Sequence, residues 1–131
     1  MQSSTPAAES LRVFVVEDSP QILERMRALL APVARIVGST GSADEAIRQI
    51  LEERPDAVVL DLNLAQGTGI DVLRAVGIRA PAIEVFVFTN FPNPQYRRLC
   101  MKLGAKGFFD KSTEFGQVRD AIAERAAHQV H

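Results

Sequence analysis

The stretch Leu11-Arg12-Val13-Phe14-Val15-Val16-Glu17-Asp18-Ser19-Pro20 sets a nearly continuous apolar run against two acids and then a helix start. An apolar run without alternation marks a strand covered on both faces of a sheet. Ser19 followed by Pro20 reads as an N-cap and the first helical position, because serine accepts an orphan N–H and proline has none to offer. The same arrangement returns along the chain. Ala57-Val58-Val59-Leu60 runs into Asp61, Val85-Phe86-Val87-Phe88 into Thr89, and the segment 105–110 into Lys111.

Helical segments fill the intervals. Ile22, Met26, Leu29, Leu30 and Val33 fall on one helical stripe, with Pro32 ending the helix. A second strand over 34–38 leads to Ser42, which opens a capping box with Glu45, and Ala43, Ala46, Ile47, Ile50 and Leu51 form a stripe that Pro55 stops. A short helix over about 69–76 packs through Ile70, Leu73 and Val76, and a fourth strand spans 83–89. Asn93-Pro94 caps a fourth helix that Gly104 terminates. A fifth strand over 105–110 precedes a last helix from about Ser112, with Phe115, Val118, Ile122 and Ala126 on its apolar side. Five strands alternating with five helices predict an α/β, doubly wound parallel sheet. Right-handed crossovers and short connections favour the flavodoxin-like order 2-1-3-4-5. Residues 1–10 are expected to be a disordered tail, leaving one domain over 11–128 and no repeat or linker.

In such a sheet the carboxyl ends of the strands form one crevice, so Glu17, Asp18, Asp61, Thr89 and Lys111 are expected to converge. Three carboxylates held close raise one another's pKa, and a hard divalent cation relieves this. Magnesium takes one or two carboxylates together with phosphate oxygens and water. Asp61 then becomes a candidate nucleophile for a phosphoryl group, with Lys111 holding one phosphate oxygen and Thr89 donating to another. Taken singly these residues are ordinary: an acidic pair before a helix suits the helix dipole, and a lone threonine or lysine is a cap or a surface amine. Their joint position at four strand ends is what carries the reading.

At these positions the chain resembles the receiver domain of two-component response regulators. The likeness runs through 13–19, through 57–64 with Gly69 beyond, through 85–89, and through Leu103-Gly104-Ala105-Lys106-Gly107-Phe108-Phe109-Asp110-Lys111, covering roughly 11–128. It implies a phosphoacceptor at Asp61, with Thr89 and Lys111 assisting. It also implies magnesium held by Glu17, Asp18, Asp61 and the backbone carbonyl of Asn63, and a switch formed by Thr89 and Phe108. The implied partners are a histidine kinase or phosphotransfer protein, and a downstream protein or second copy at the surface of the fourth helix, fifth strand and fifth helix, where Tyr96, Arg97, Arg98, Lys102, Lys106 and Arg119 lie. The chain departs from the family at Asn90, where a small residue is common, and at Phe91, where a polar one is. With Asn63 these are expected to modulate access to the phosphoryl group and its lifetime. Ser112 replaces the proline that commonly follows the lysine.

Composition narrows the class. At 131 residues, 47% hydrophobic and 24% charged, the chain suits one globular domain. A net charge of −1 gives no footprint for direct nucleic-acid binding. The single cysteine, Cys100, reads as a small buried hydrophobe on the fourth helix, and His128 and His131 are assigned no chemistry. No stretch suits a membrane span or signal peptide, so a cytoplasmic location is the default.

Competing readings stay open at this point. An aspartate-nucleophile phosphatase of the haloacid dehalogenase type needs a second aspartate two residues on, where Asn63 stands. A flavodoxin-like cofactor module needs a glycine-rich turn where Glu17-Asp18-Ser19-Pro20 stands. A degenerate receiver acting only by interaction is weakened by the complete acidic, hydroxyl and lysine set. The chain is also readable as the receiver fragment of a longer DNA-binding regulator. No substrate turnover beyond self-phosphorylation and self-dephosphorylation is expected.

Overall fold

A computed structural model describes residues 11–90 and 92–128. The tail expected over 1–10, the access role expected of Phe91, and His131 lie outside the described residues. The elements alternate as β1 (Leu11–Val16), α1 (Pro20–Leu30), β2 (Ala34–Thr40), α2 (Ala43–Glu53), β3 (Ala57–Leu60), α3 (Gly69–Arg79), β4 (Glu84–Thr89), α4 (Pro94–Lys102), β5 (Gly107–Asp110) and α5 (Phe115–Ala127). All strand pairs are parallel and the order is β2-β1-β3-β4-β5, the flavodoxin-like order the sequence predicts.

Both faces of the sheet are covered. Phe14, Val16, Val58, Leu60, Val85, Val87 and Phe108 meet α2, α3 and α4 on one side. Leu11, Val13, Val15, Val59, Phe86 and Phe88 meet α1 and α5 on the other, through Met26, Leu30, Phe115, Val118 and Ile122. Two covered faces explain the continuous apolar strands. Each face buries whole aliphatic and aromatic side chains, worth about 1.5–3 kcal/mol apiece, so the sheet is a rigid platform for its ends.

Local caps do what their residue types allow. The Ser19 hydroxyl accepts from the Ile22 N–H at 3.3 Å, and the Asn93 side chain from the Tyr96 N–H at 2.8 Å. Gly104 follows α4 with φ of 104°, a conformation only glycine adopts cheaply. The capping box at Ser42 is half formed. Ser42 accepts from the Glu45 N–H, but the Glu45 carboxylate turns to Arg48 and Gln49, and the Ser42 N–H donates to Thr40 Oγ1.

Several boundaries move for physical reasons. β2 continues to Thr40 because Ser39 and Thr40 pair with Val15 and Val16, after a register shift that leaves Val37 as an extra residue. α3 runs on to Arg79, beyond the last buried apolar residue at Val76. β5 starts at Gly107, although the Lys106 N–H already bonds the Val85 carbonyl at 2.7 Å. α5 starts at Phe115 rather than Ser112. The Ser112 N–H and hydroxyl both bond Asp110 Oδ1, and the Glu114 N–H bonds the Asp110 carbonyl, closing a turn before the helix.

Candidate functional site

Four buried polar side chains stand among the described residues, and all four lie at carboxyl ends of strands. They are Glu17 after β1, Asp61 after β3, Thr89 at the end of β4 and Lys111 after β5. The main chain fixes each of them. The Glu17 N–H bonds the Thr40 carbonyl at 2.9 Å, the Asp61 N–H the Val16 carbonyl at 3.0 Å, and the Lys111 N–H the Thr89 carbonyl at 2.8 Å. The convergence is therefore a product of strand register, not of side-chain reach.

At the centre the Lys111 ammonium bridges two acids, 2.6 Å from Glu17 Oε1 and 2.9 Å from Asp61 Oδ2. The second oxygen of each carboxylate has a backbone donor. The Ser19 N–H reaches Glu17 Oε2 at 2.9 Å, and the Asn63 N–H reaches Asp61 Oδ1 at 3.2 Å. Asp18 is exposed beside them, and Glu17, Asp18 and Asp61 each offer a carboxylate oxygen within 4.8 Å of the other two. Gly69 lets the chain pass close by, since a Cβ there would overlap the Asp61 carbonyl oxygen and lie 2.7 Å from the Leu62 Cα.

Burial pushes the Glu17 carboxyl above its usual range, despite the hydrogen bonds from Lys111 and the Ser19 N–H. Burial also works against the Lys111 charge, but the bonds to Glu17 and Asp61 outweigh it and hold the ammonium above the ordinary lysine value. The lysine is thus secured by two acids, whereas Glu17 is under-compensated by a cation it must share. Three carboxylates face one ammonium. An all-oxygen set with excess negative charge fits a hard cation such as magnesium, and this chain's own donors supply that fit.

The other predicted residues fall on the same rim or beneath it. Asn63 is exposed in the loop after Asp61, and Asn90 is exposed after Thr89. Phe108 is buried in the cluster that includes Val87, Cys100 and Ala105. Sequence reasoning missed the cover on Phe108. Arg97 donates to the Phe108 carbonyl at 3.3 Å, with its guanidinium carbon 5.9 Å from the ring centre. Of the surface residues named from sequence, Tyr96, Arg98 and Lys102 are exposed on α4. Lys106 pairs with Glu84 at 3.8 Å and Arg119 with Asp120 at 3.6 Å. Cys100 is fully buried, and burial pushes its thiol up, as suits a core residue.

The sequence profile of the response regulator receiver domain matches residues 13–123. The chain is 27% identical over 114 residues to the uncharacterized transcriptional regulatory protein YvfU of Bacillus subtilis, covering 86% of this chain and 57% of that protein. It is 28% identical over 119 residues to the DNA-binding transcriptional activator DevR/DosR of Mycobacterium tuberculosis, covering 89% and 55%. It therefore spans little more than half the length of these curated relatives. Among solved structures it resembles a two-component response regulator of the LuxR family from Aurantimonas sp. SI85-9A1. That match has a TM-score of 0.82 and 29% identity, covering 91% of this chain and 86% of that one.

Proposed function

The chain belongs to the response regulator receiver domain family, and from that premise we propose that it takes a phosphoryl group onto Asp61 and signals through a change of surface. The family as a whole partners with histidine kinases or phosphotransfer proteins, and phosphorylation and magnesium are characteristic of it. The observation that carries the reading for this chain is the buried contact of Lys111 Nζ with Asp61 Oδ2 at 2.9 Å, made across 50 residues of sequence at the mouth of the sheet.

In the proposed reaction an Asp61 carboxylate oxygen attacks the phosphorus of a phosphohistidine or a small acyl phosphate. A P–O bond forms as the P–N or P–O bond to the leaving group breaks, and the leaving imidazole or carboxylate takes the electron pair. Lys111 is already bonded to Asp61, so it stands ready to hold a phosphoryl oxygen, and the Asn63 N–H steadies the other carboxylate oxygen. The Thr89 hydroxyl at the next strand end donates to a further oxygen. Glu17, Asp18, Asp61 and the Asn63 carbonyl would hold magnesium, which would supply positive charge against the phosphoryl oxygens.

Once phosphorylated, Asp61 offers Thr89 a new acceptor, and the resulting movement alters the packing of Phe108 against α4. Phe108 has no hydroxyl to satisfy, so its packed position among Val87, Cys100 and Ala105 carries no polar cost. The readout surface is α4-β5-α5, where Tyr96 and Met101 are exposed beside Arg98 and Lys102. The likeness to longer transcriptional regulators, of which the matched segment makes up 57% and 55%, supports a second, compatible reading, in which the surface controls a DNA-binding output. No helix among the described residues is long and apolar enough to cross a membrane.

The test is intact mass after treatment with acetyl phosphate and magnesium. The parent should gain one phosphoryl group and Asp61→Asn none. Equal labelling of the two would overturn the assignment, and steady turnover of a phosphate ester would favour a phosphatase.

A further inference from the structure

We propose that Gly41 is a positioning residue of the metal site, acting through Asp18; this rests on the reading of Asp18 as a cation ligand. Glu17 and Asp61 are fixed by Lys111 and by the Ser19 and Asn63 N–H groups. Among the described residues the exposed Asp18 carboxylate has no comparable tie, so its placement rests on its main chain. That main chain lies against Gly41. A Cβ at position 41 would sit 2.5 Å from the Asp18 Cβ, 2.8 Å from its Cα and 3.4 Å from its N. Rotating a side chain cannot relieve an overlap with Cα, so any residue larger than glycine displaces the β1–α1 loop.

The approach is built in from both sides. The Glu17 N–H to Thr40 carbonyl bond, 2.9 Å, extends the β1–β2 ladder up to Gly41. On the far side, the Ala43 N–H bonds the Gln66 carbonyl at 2.9 Å and Ser42 bridges Gln66, tying the Asn63 loop to the same start of α2. The β2–α2 loop is therefore a common backing for the two loops that carry Asp18 and Asn63. Gly41 sets how near the first of them comes.

The experiment is calorimetric titration of magnesium into metal-free parent, Gly41→Ala, Asp18→Ala, the double variant and Gly38→Ala. The last is a control for simple loosening of β2, because a Cβ at Gly38 meets the Phe14 ring at 2.7 Å in the core, away from Asp18. Gly41→Ala should weaken magnesium about tenfold or more, the scale of changes behind a metal ligand. Gly38→Ala should melt lower yet bind magnesium like the parent. With Asp18 already alanine, adding Gly41→Ala should change the affinity no further. Parent-like binding by Gly41→Ala alongside weakened Asp18→Ala overturns the inference and spares the function. Parent-like binding by Asp18→Ala overturns the ligand reading and the inference with it. Equal weakening by both glycine variants also overturns the inference. If Gly41→Ala does not fold, NMR of the parent decides. The Gly41 amide should shift during the magnesium titration with the same midpoint as Asp18, and a stationary Gly41 rejects the coupling.

Discussion

The two ends of this parallel sheet handle charge by opposite rules. At the amino end Glu53 and Glu84 each pair with an arginine of their own, Arg12 and Arg125. The Arg12 guanidinium meets Glu53 at 3.1 Å and the Glu53 and Arg54 carbonyls at 3.0 and 2.9 Å, while the Arg12 N–H bonds Asp56. Glu84 at the start of β4 has Arg125 at 2.6 Å and Lys106 at 3.8 Å. At the carboxyl end Glu17 and Asp61 share one buried lysine and Asp18 stands beside them. The amino end is neutralised at the solvent edge and serves stability. The carboxyl end keeps uncompensated negative charge out of water, which is unfavourable unless a cation is to be received there.

The largest expected effect comes from removing the shared cation. Lys111→Met leaves two buried carboxylates without their counter-charge, and breaking a buried pair of this kind costs about 3–5 kcal/mol. Urea denaturation of the metal-free protein should show a loss on that scale; a loss below about 1 kcal/mol would mean that the carboxyl end is not electrostatically different from the amino end.

A smaller effect of opposite sign is expected at Glu17. Its folded-state pKa is raised above the ordinary glutamate value of 4.5, chiefly by burial. The stability linked to its proton is therefore fully present below pH 4.5 and lost as pH rises through the raised folded value. Glu17→Gln keeps an acceptor for Lys111 but carries no charge, so without metal it should melt above the parent at pH 7 and converge with it on acidification. Melting curves of the pair across that range check the sign, and a Gln variant that melts lower at every pH would refute the account of Glu17.

The smallest change belongs to the amino end. Arg12→Ala removes an ion pair whose partners are 36% and 51% exposed, so the charge part is worth about 0.2–1 kcal/mol. Its melting temperature should fall slightly, and by the same amount with and without magnesium. A magnesium-dependent loss would show that the two ends are not independent.

The sequence made the strand ends legible because each places a polar residue directly after an apolar run, and strand order followed from the alternation of elements. The features that tune the site were not visible in this way. Glu17 and Asp18 are adjacent and both acidic, yet one is buried against Lys111 and the other exposed. The extension of β2 past Gly38, a poor strand residue, through Ser39 and Thr40 is decided by pairing with β1. Ser112 reads as the start of the last helix until the Asp110 carboxylate claims both its donors. The contact of Gly41 with Asp18 joins two loops and leaves no local signature at all.

The account stands most directly on a thermal titration of the metal-free protein with magnesium, run on the parent and on Asp18→Ala. A ligand that binds only the folded state stabilises it by about 2.7 kcal/mol at a hundredfold excess over its Kd. The parent should therefore melt progressively higher as magnesium is added, while Asp18→Ala should start no lower than the metal-free parent and respond less. A parent that does not respond, or a variant that responds as fully as the parent, would contradict the claim that the carboxyl end of the sheet is held open for a cation.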